Sequence, residues 1–223
     1  MGSDAVTKRA RKWDKALTRG ANRSGGTYGS DMARARREEE PGGTYHVTAR
    51  GNDGQAIFRD DFDRDEFLKR LGRCVARYRW ECLAYCLMTN HFHLVIRIPE
   101  GGMSSGMQEL VSGHARQMNL RYGRRDHLFK QRFFSVELRR ESHFLEACRY
   151  VVLNPVRAGL CRSPAEWKWS SYRACAGHTF ALGFLSMGEL LAIFDSRPGM
   201  AAARYRSFVA SAHDAESDAV TEP

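Results

Sequence analysis

The sequence lacks three features: long apolar runs that could span a membrane, closely spaced cysteine pairs that could form a zinc knuckle, and a secretion signal. No apolar run is long enough to span a bilayer, and the basic N-terminus lacks the apolar segment of a signal peptide. Six cysteines are present, but none forms a Cys-x-x-Cys pair, which argues against a zinc knuckle. Free cysteines within apolar runs are typical of a protein that folds in a reducing cytoplasm.

Acidic residues are scarce relative to basic ones. The chain has 35 Lys and Arg residues against 26 Asp and Glu residues, a formal net charge of +9. Arginine supplies most of the positive charge, and its planar guanidinium suits bidentate contact with phosphate. This balance favours a nucleic-acid partner over a membrane surface.

Aliphatic residues are few in the first 42 positions, which are rich in Arg, Lys, Gly and Ser. Such a composition predicts a basic, flexible tail over residues 1–42. Residues 43–176 carry the patterns of a folded domain. We expect residues 177–223 to form a helical extension with a disordered end.

Within the folded domain, hydrophobic periodicity predicts strands and helices in the order β-α-β-β-α-β-α. The predicted strands cover residues 44–50, 82–88, 91–98 and 132–138, and the predicted helices cover residues 61–79, 103–122 and 141–154. The first six elements match the ferredoxin-like arrangement, an α+β fold with an antiparallel four-stranded sheet and two helices on one face. The additional third helix is expected to lie across the open face of the sheet.

Two histidines flank a single phenylalanine where the third predicted strand begins. Because side chains alternate along a strand, His91 and His93 project from one face while Phe92 projects toward the core. The first and third strands are central in a ferredoxin-like sheet, so the pair sits at a rigid position. Two neighbouring imidazoles are half of a metal site; the alternative is a polar strand end with two hydrogen-bonded histidines.

The third predicted helix carries Tyr150 and Asn154, which share one helix face because they are four residues apart. Pro155 disfavours α conformation in the residue before it and places Asn154 near the helix end. An amide oxygen with two imidazoles suits Mg²⁺ or Mn²⁺, with zinc a further candidate. A tyrosine beside a Lewis acid is a candidate nucleophile. The alternative is that Tyr150 packs on the sheet and Asn154 is an ordinary C-cap.

Four short segments together resemble a known family. The motif His91-Phe92-His93 resembles the His-hydrophobe-His motif of HUH single-strand endonucleases. Residues 150–159 are similar to the tyrosine helix of the REP-associated tyrosine transposases, relatives of the single-tyrosine insertion-sequence transposases. Residues 127–134 and 167–172 are similar to two further segments of that group, and the resemblance covers about residues 43–176.

The resemblance implies a metal-dependent single-stranded DNA endonuclease and strand transferase. It would act at REP-type palindromic hairpins through a covalent 5′-phosphotyrosine intermediate. Tyr150 is implied as the nucleophile and His91 and His93 as ligands of Mg²⁺ or Mn²⁺. Asn154 is the implied third ligand, where more distant relatives use glutamine.

Two other functions stay open on this fold: a nucleic-acid-binding regulator without catalysis, and a metal-dependent phosphodiesterase that uses water. The resemblance leaves a monomer and a homodimer equally open. It implies no membrane partner, and it implies a bacterial cytoplasmic location associated with the nucleoid.

The rival nucleophile is Tyr122, which ends the second predicted helix and is expected on the sheet face opposite the histidines. The positive side chains expected to contact DNA lie within and after the second helix, around the last strand and after the third helix. They are Arg116, Arg121, Arg124, Arg125, Lys130, Arg132, Arg139 and Arg157.

Overall fold

The computed structural model describes residues 39–218, with side chains described as far as residue 211. The strands are β1 (Thr44–Arg50), β2 (Glu81–Leu87), β3 (His91–Arg97) and β4 (Phe134–Glu137). The helices are α1 (Asp61–Tyr78), α2 (Met103–Tyr122), α3 (Glu141–Arg157), α4 (Tyr172–Cys175), α5 (Gly188–Ala192) and α6 (Pro198–Asp218), with short 3₁₀ turns at Asn52–Gly54 and Pro164–Glu166. Residues 39–209 form one compact unit.

The four strands form one antiparallel sheet in the order β2-β3-β1-β4, so β1 and β3 are central. This arrangement confirms the predicted α+β, ferredoxin-like fold. The order follows from the connections, because β2 and β3 form a hairpin while α1 and α2 carry the chain between the other strands. Met88 N donates to the carbonyl of His91 at 2.9 Å and closes the turn between β2 and β3.

One face of the sheet packs beneath α1 and α2 and forms the main hydrophobic core. Phe92, Leu94 and Ile96 of β3 enter this core together with apolar side chains of both helices. The alternation of β3 is therefore the one predicted from its sequence, with apolar side chains on the helix-covered side. The positions between them, His91 and His93, project from the other face.

The amphipathic helix α1 has clear signals at both ends. Asp60 caps its start, since the carboxylate accepts a hydrogen bond from Asp63 N at 3.0 Å. Acidic side chains in the first turn complement the helix dipole. The helix ends at Tyr78 and is followed by Arg79, whose φ of 51° is left-handed.

Helix α3 is longer than predicted. The sequence interpretation ended it at Asn154 because a proline follows, but the helix continues through Pro155 to Arg157. Proline removes one backbone donor from the helix, yet every residue from 147 to 155 is buried, and this packing outweighs the lost hydrogen bond. Ala158 N then donates to the carbonyl of Asn154 at 2.9 Å and closes the last turn.

The extension after residue 176 contains α5 and α6, and α6 continues to residue 218 although disorder was expected from about residue 211. Of the predicted basic tail, residues 1–38 lie outside the described part of the chain. The described residues include no helix that is both long and apolar enough to cross a membrane. All six cysteines are free thiols, and all but Cys161 are buried.

Candidate active site

The register of β1 against β3 brings a third histidine to the predicted pair. Thr48 lies opposite His93 and Arg50 lies opposite His91, so His46 projects from the same face two positions along β1. Sequence reasoning did not select His46. Its signal was the alternation of β1, which separates His46 from Tyr45 and Val47, but only the pairing with β3 shows that this face carries the other histidines.

Both predicted ligand histidines are held through their Nδ1 atoms. His93 Nδ1 lies 3.0 Å from His46 Nε2, and the two rings stack with centroids 5.2 Å apart. His91 Nδ1 lies 2.7 Å from the Oδ1 atom of Asn90. The His91 and His93 rings stand nearly perpendicular, with centroids 4.9 Å apart.

These histidines lie in surroundings that favour the neutral imidazole. Burial lowers the pKa of His46 to about 4. Burial, assisted by the charge of Arg50, lowers the pKa of His91 to about 4 as well. The pKa of His93 is also lowered, because the side chain is fully buried and has two histidine neighbours. A neutral imidazole with a free ring nitrogen is the form that binds a metal ion.

Helix α3 covers this face and brings Tyr150 against the histidines. The Tyr150 ring meets the ring of His93 edge-on at 5.6 Å and the ring of His46 at 5.9 Å. The guanidinium of Arg157 lies 5.0 Å from the centre of the same tyrosine ring. A phenol, imidazoles and a guanidinium therefore meet from three separate elements.

Asn154 lies one turn beyond Tyr150 on α3 and is largely buried. Its amide nitrogen donates to the carbonyl of Tyr150 at 2.9 Å. Because the nitrogen is engaged with the helix backbone, the amide oxygen is the atom that Asn154 can offer to a ligand.

The residues present fit a divalent metal ion. The Nε2 atom of His93 is buried and makes no hydrogen bond to any described residue, which is costly unless the nitrogen has another partner. Among the described residues, no group of three or more histidine, cysteine, aspartate or glutamate side chains could hold a metal. A complete coordination shell would therefore need oxygen donors, from Asn154, water or substrate.

The basic residues predicted to contact DNA divide into two groups. Arg116, Arg125, Lys130 and Arg132 are exposed. The others have specific contacts: Arg121 pairs with Asp60 and Asp63, Arg124 bonds Gln55, Arg139 pairs with Glu137, and Arg157 covers Tyr150. Arg116 and Arg121 belong to α2, on the face opposite the histidines.

Tyr122 lies away from the histidines, packed against the core on the side of α1 and α2. Its hydroxyl donates to Asp63 Oδ2 at 2.9 Å. Burial and this hydrogen bond raise the pKa of Tyr122 to about 12. The raised pKa leaves a smaller fraction of phenolate at neutral pH.

Histidines of the two central strands and a tyrosine of α3 thus meet on one face of a ferredoxin-like sheet. The chain belongs to the IS200-like transposase family, whose model matches residues 41–153. Enzymes of this family cleave and join DNA and generally depend on a divalent metal ion, and the chain is accordingly a DNA-cleaving and DNA-joining enzyme.

Two relatives match most of their own length. A Haemophilus influenzae protein described as "Putative REP-associated tyrosine transposase" is 24% identical over 152 residues, which are 63% of this chain and 86% of the relative. A solved structure of a REP-associated tyrosine transposase bound to a REP hairpin superposes with a TM-score of 0.55 at 18% identity. The match covers 70% of this chain and 92% of that one, and it supports the fold.

Proposed function

We propose that the chain is a metal-dependent single-stranded DNA endonuclease and strand transferase that acts at REP-type palindromic hairpins through a 5′-phosphotyrosine intermediate. The observation that carries the proposal is the contact of Tyr150 with His46 and His93. The tyrosine and the histidines are distant in sequence, and both are buried at considerable cost for polar groups. The hairpin carried by the solved relative supports hairpin DNA as the substrate class.

In the proposed reaction Tyr150 is the nucleophile. Its phenolic oxygen gives up its proton and bonds to phosphorus as the bond from phosphorus to the 3′ oxygen breaks, and the 3′ oxygen takes up a proton and leaves as a hydroxyl. The phosphodiester energy is retained in the phosphotyrosine link, so a 3′ hydroxyl can later reverse the attack and rejoin a strand. The Arg157 guanidinium, 5.0 Å from the centre of the phenol ring, would pair with the phosphate under attack.

The proposed metal ligands are His91 and His93 through Nε2 and Asn154 through its amide oxygen. Two imidazoles with oxygen donors suit Mg²⁺ or Mn²⁺. The bound ion would polarise the phosphate and stabilise the charge that develops on it. The histidines contribute rigid placement on a central strand, and α3 contributes the cover that limits water around the reacting phosphate.

The test is incubation of labelled single-stranded hairpin DNA with the protein and Mn²⁺ or Mg²⁺, followed by denaturing electrophoresis. We expect a protein–DNA adduct that survives denaturation and is absent from Tyr150→Phe. Tyr122→Phe is the matched control, because it removes a hydroxyl that also lies in a hydrogen-bonded setting but on the other face; it should form the adduct normally.

Two outcomes would contradict the proposal and point to the other functions. Metal-dependent cleavage without an adduct would indicate a phosphodiesterase that uses water. Binding of the hairpin without cleavage, in the presence of either Mn²⁺ or Mg²⁺, would indicate a DNA-binding regulator that has the fold but no catalytic activity.

A further inference from the structure

His46 of β1 contacts His93 of β3 through a hydrogen bond that orients the His93 ring. His46 Nε2 lies 3.0 Å from His93 Nδ1, a hydrogen bond between two fully or almost fully buried rings. The two rings also stack. If the His93 ring rotated, the stacking with His46 would be lost. His46 therefore fixes both the direction of the His93 ring and which of its nitrogens faces β1.

Asn90, in the turn between β2 and β3, likewise makes a hydrogen bond to Nδ1 of His91. Asn90 Oδ1 lies 2.7 Å from His91 Nδ1, while Asn90 Nδ2 donates to the carbonyl of Gly54 at 3.1 Å. Only the amide nitrogen can donate to a carbonyl, so the amide oxygen must face the imidazole. Asn90 thereby ties His91 to the loop that follows β1.

These contacts decide which nitrogen of each histidine is available. Because Asn90 presents an acceptor, His91 must carry its proton on Nδ1, and its Nε2 then presents a lone pair. For His93, a proton on Nε2 would be a buried donor without a partner among the described residues, whereas a proton on Nδ1 can be donated to His46. Both contacts therefore favour the same tautomer.

We propose that His46 and Asn90 are positioning residues, which hold His93 and His91 in the Nδ1-protonated tautomer and so leave the Nε2 lone pair of each available to a metal ion. The inference rests on the proposed function only for the identity of the ligand. A metal-binding histidine is commonly held through its other ring nitrogen in this way. Here the two partners differ in kind, an imidazole for one histidine and an amide for the other.

The first test reads the tautomers directly in the unaltered, metal-free protein. Long-range ¹⁵N–¹H NMR distinguishes protonated from unprotonated ring nitrogens, and single substitutions of each histidine assign the signals. We expect both His91 and His93 to carry the proton on Nδ1. A proton on Nε2 of either residue would overturn the proposal for that residue.

The second test compares two pairs of variants by calorimetric titration with Mn²⁺ in the absence of DNA. His46→Phe and Asn90→Leu remove the acceptors, and we expect Mn²⁺ to bind about 10-fold to 100-fold more weakly. His46→Gln replaces the acceptor nitrogen with an amide oxygen and Asn90→Asp keeps an oxygen acceptor, so these variants should retain most of the affinity. Equal affinity within each pair, in variants that melt cooperatively, would contradict a positioning role.

One further variant separates failure of this inference from failure of the proposed function. His91→Ala should abolish Mn²⁺ binding if the histidines are ligands at all. If His91→Ala binds Mn²⁺ as the unaltered protein does, the proposed metal site is wrong. If His91→Ala fails to bind but the acceptor-free variants bind normally, the site stands and the positioning role of His46 and Asn90 is wrong.

Discussion

The two faces of the sheet use the same central strand for opposite purposes. Beneath α1 and α2, β3 contributes Phe92, Leu94 and Ile96 to a sealed apolar core. Beneath α3, the alternate positions contribute His91 and His93, which lie beside His46 and Tyr150. An apolar face contributes to stability directly, whereas burying polar groups costs free energy unless a partner satisfies them. What distinguishes the second face is its cluster of three imidazoles and a phenol.

The largest expected effect on DNA cleavage comes from the face that carries the histidines. His91→Ala should abolish cleavage of labelled hairpin DNA while DNA binding is mostly kept, because a proposed metal ligand is removed but the basic surface is not. The free energy of unfolding should change by only about 1 kcal/mol, the usual worth of one hydrogen bond. Gel cleavage assays and denaturant unfolding measure the two effects, and cleavage that survives the change would show that the site is assigned wrongly.

The neighbouring residue on the other face should behave in the reverse way. Phe92 is fully buried and its ring lies 4.8 Å from that of Phe67. Phe92→Ala should lower the free energy of unfolding by about 3–5 kcal/mol, because transfer energy is lost and a cavity remains. The protein that stays folded at low temperature should still form the tyrosine adduct. A stability loss equal to that of His91→Ala would mean that the two faces are not distinct.

Much of this contrast was predictable from the sequence, because its signals are local. The alternation around Phe92 assigns the two faces, and the order of elements places β3 at the centre. The site was less predictable where it depends on contacts between distant segments. His46 becomes a site residue only through the register of β1 with β3, and the continuation of α3 past Pro155 depends on burial that no local pattern reports.

A histidine on the apolar side gives a further test of the comparison. His114 of α2 is fully buried, lies 4.9 Å from the ring of Phe58, and has its Nε2 atom 2.7 Å from the carbonyl of Ile57. Its role is structural, so His114→Leu should leave an unpaired carbonyl and cost about 1–3 kcal/mol of unfolding free energy. Adduct formation below the melting temperature should be unchanged. A variant that melts normally but fails to cleave DNA would extend the site to this face.

The same histidine should also contribute to the pH dependence of stability. Burial lowers the pKa of His114 to about 4, against the opposing effects of the Ile57 carbonyl and the Asp63 charge. In the unfolded chain the His114 side chain is therefore protonated below about pH 6.5, whereas in the folded protein it is protonated only below about pH 4. Stability should fall as the pH decreases through this window. The fall should be shallower in His114→Leu, as measured by denaturant unfolding at several pH values, and equal slopes would contradict this assignment.

The smallest expected effect distinguishes the basic residues of the two faces. Arg157 lies over Tyr150, whereas Arg116 is an exposed residue of α2 on the opposite face. If DNA lies along α3, Arg157→Gln should remove one phosphate contact and reduce the salt dependence of hairpin binding, the slope of log K against log salt, by about 0.7. Arg116 was also expected from the sequence to contact DNA, but α2 covers the opposite face of the sheet, so Arg116→Gln should leave that slope unchanged although it removes the same charge. Because the two variants have equal net charge, a general electrostatic effect would reduce both slopes alike, and only direct phosphate contact at the tyrosine face would reduce one.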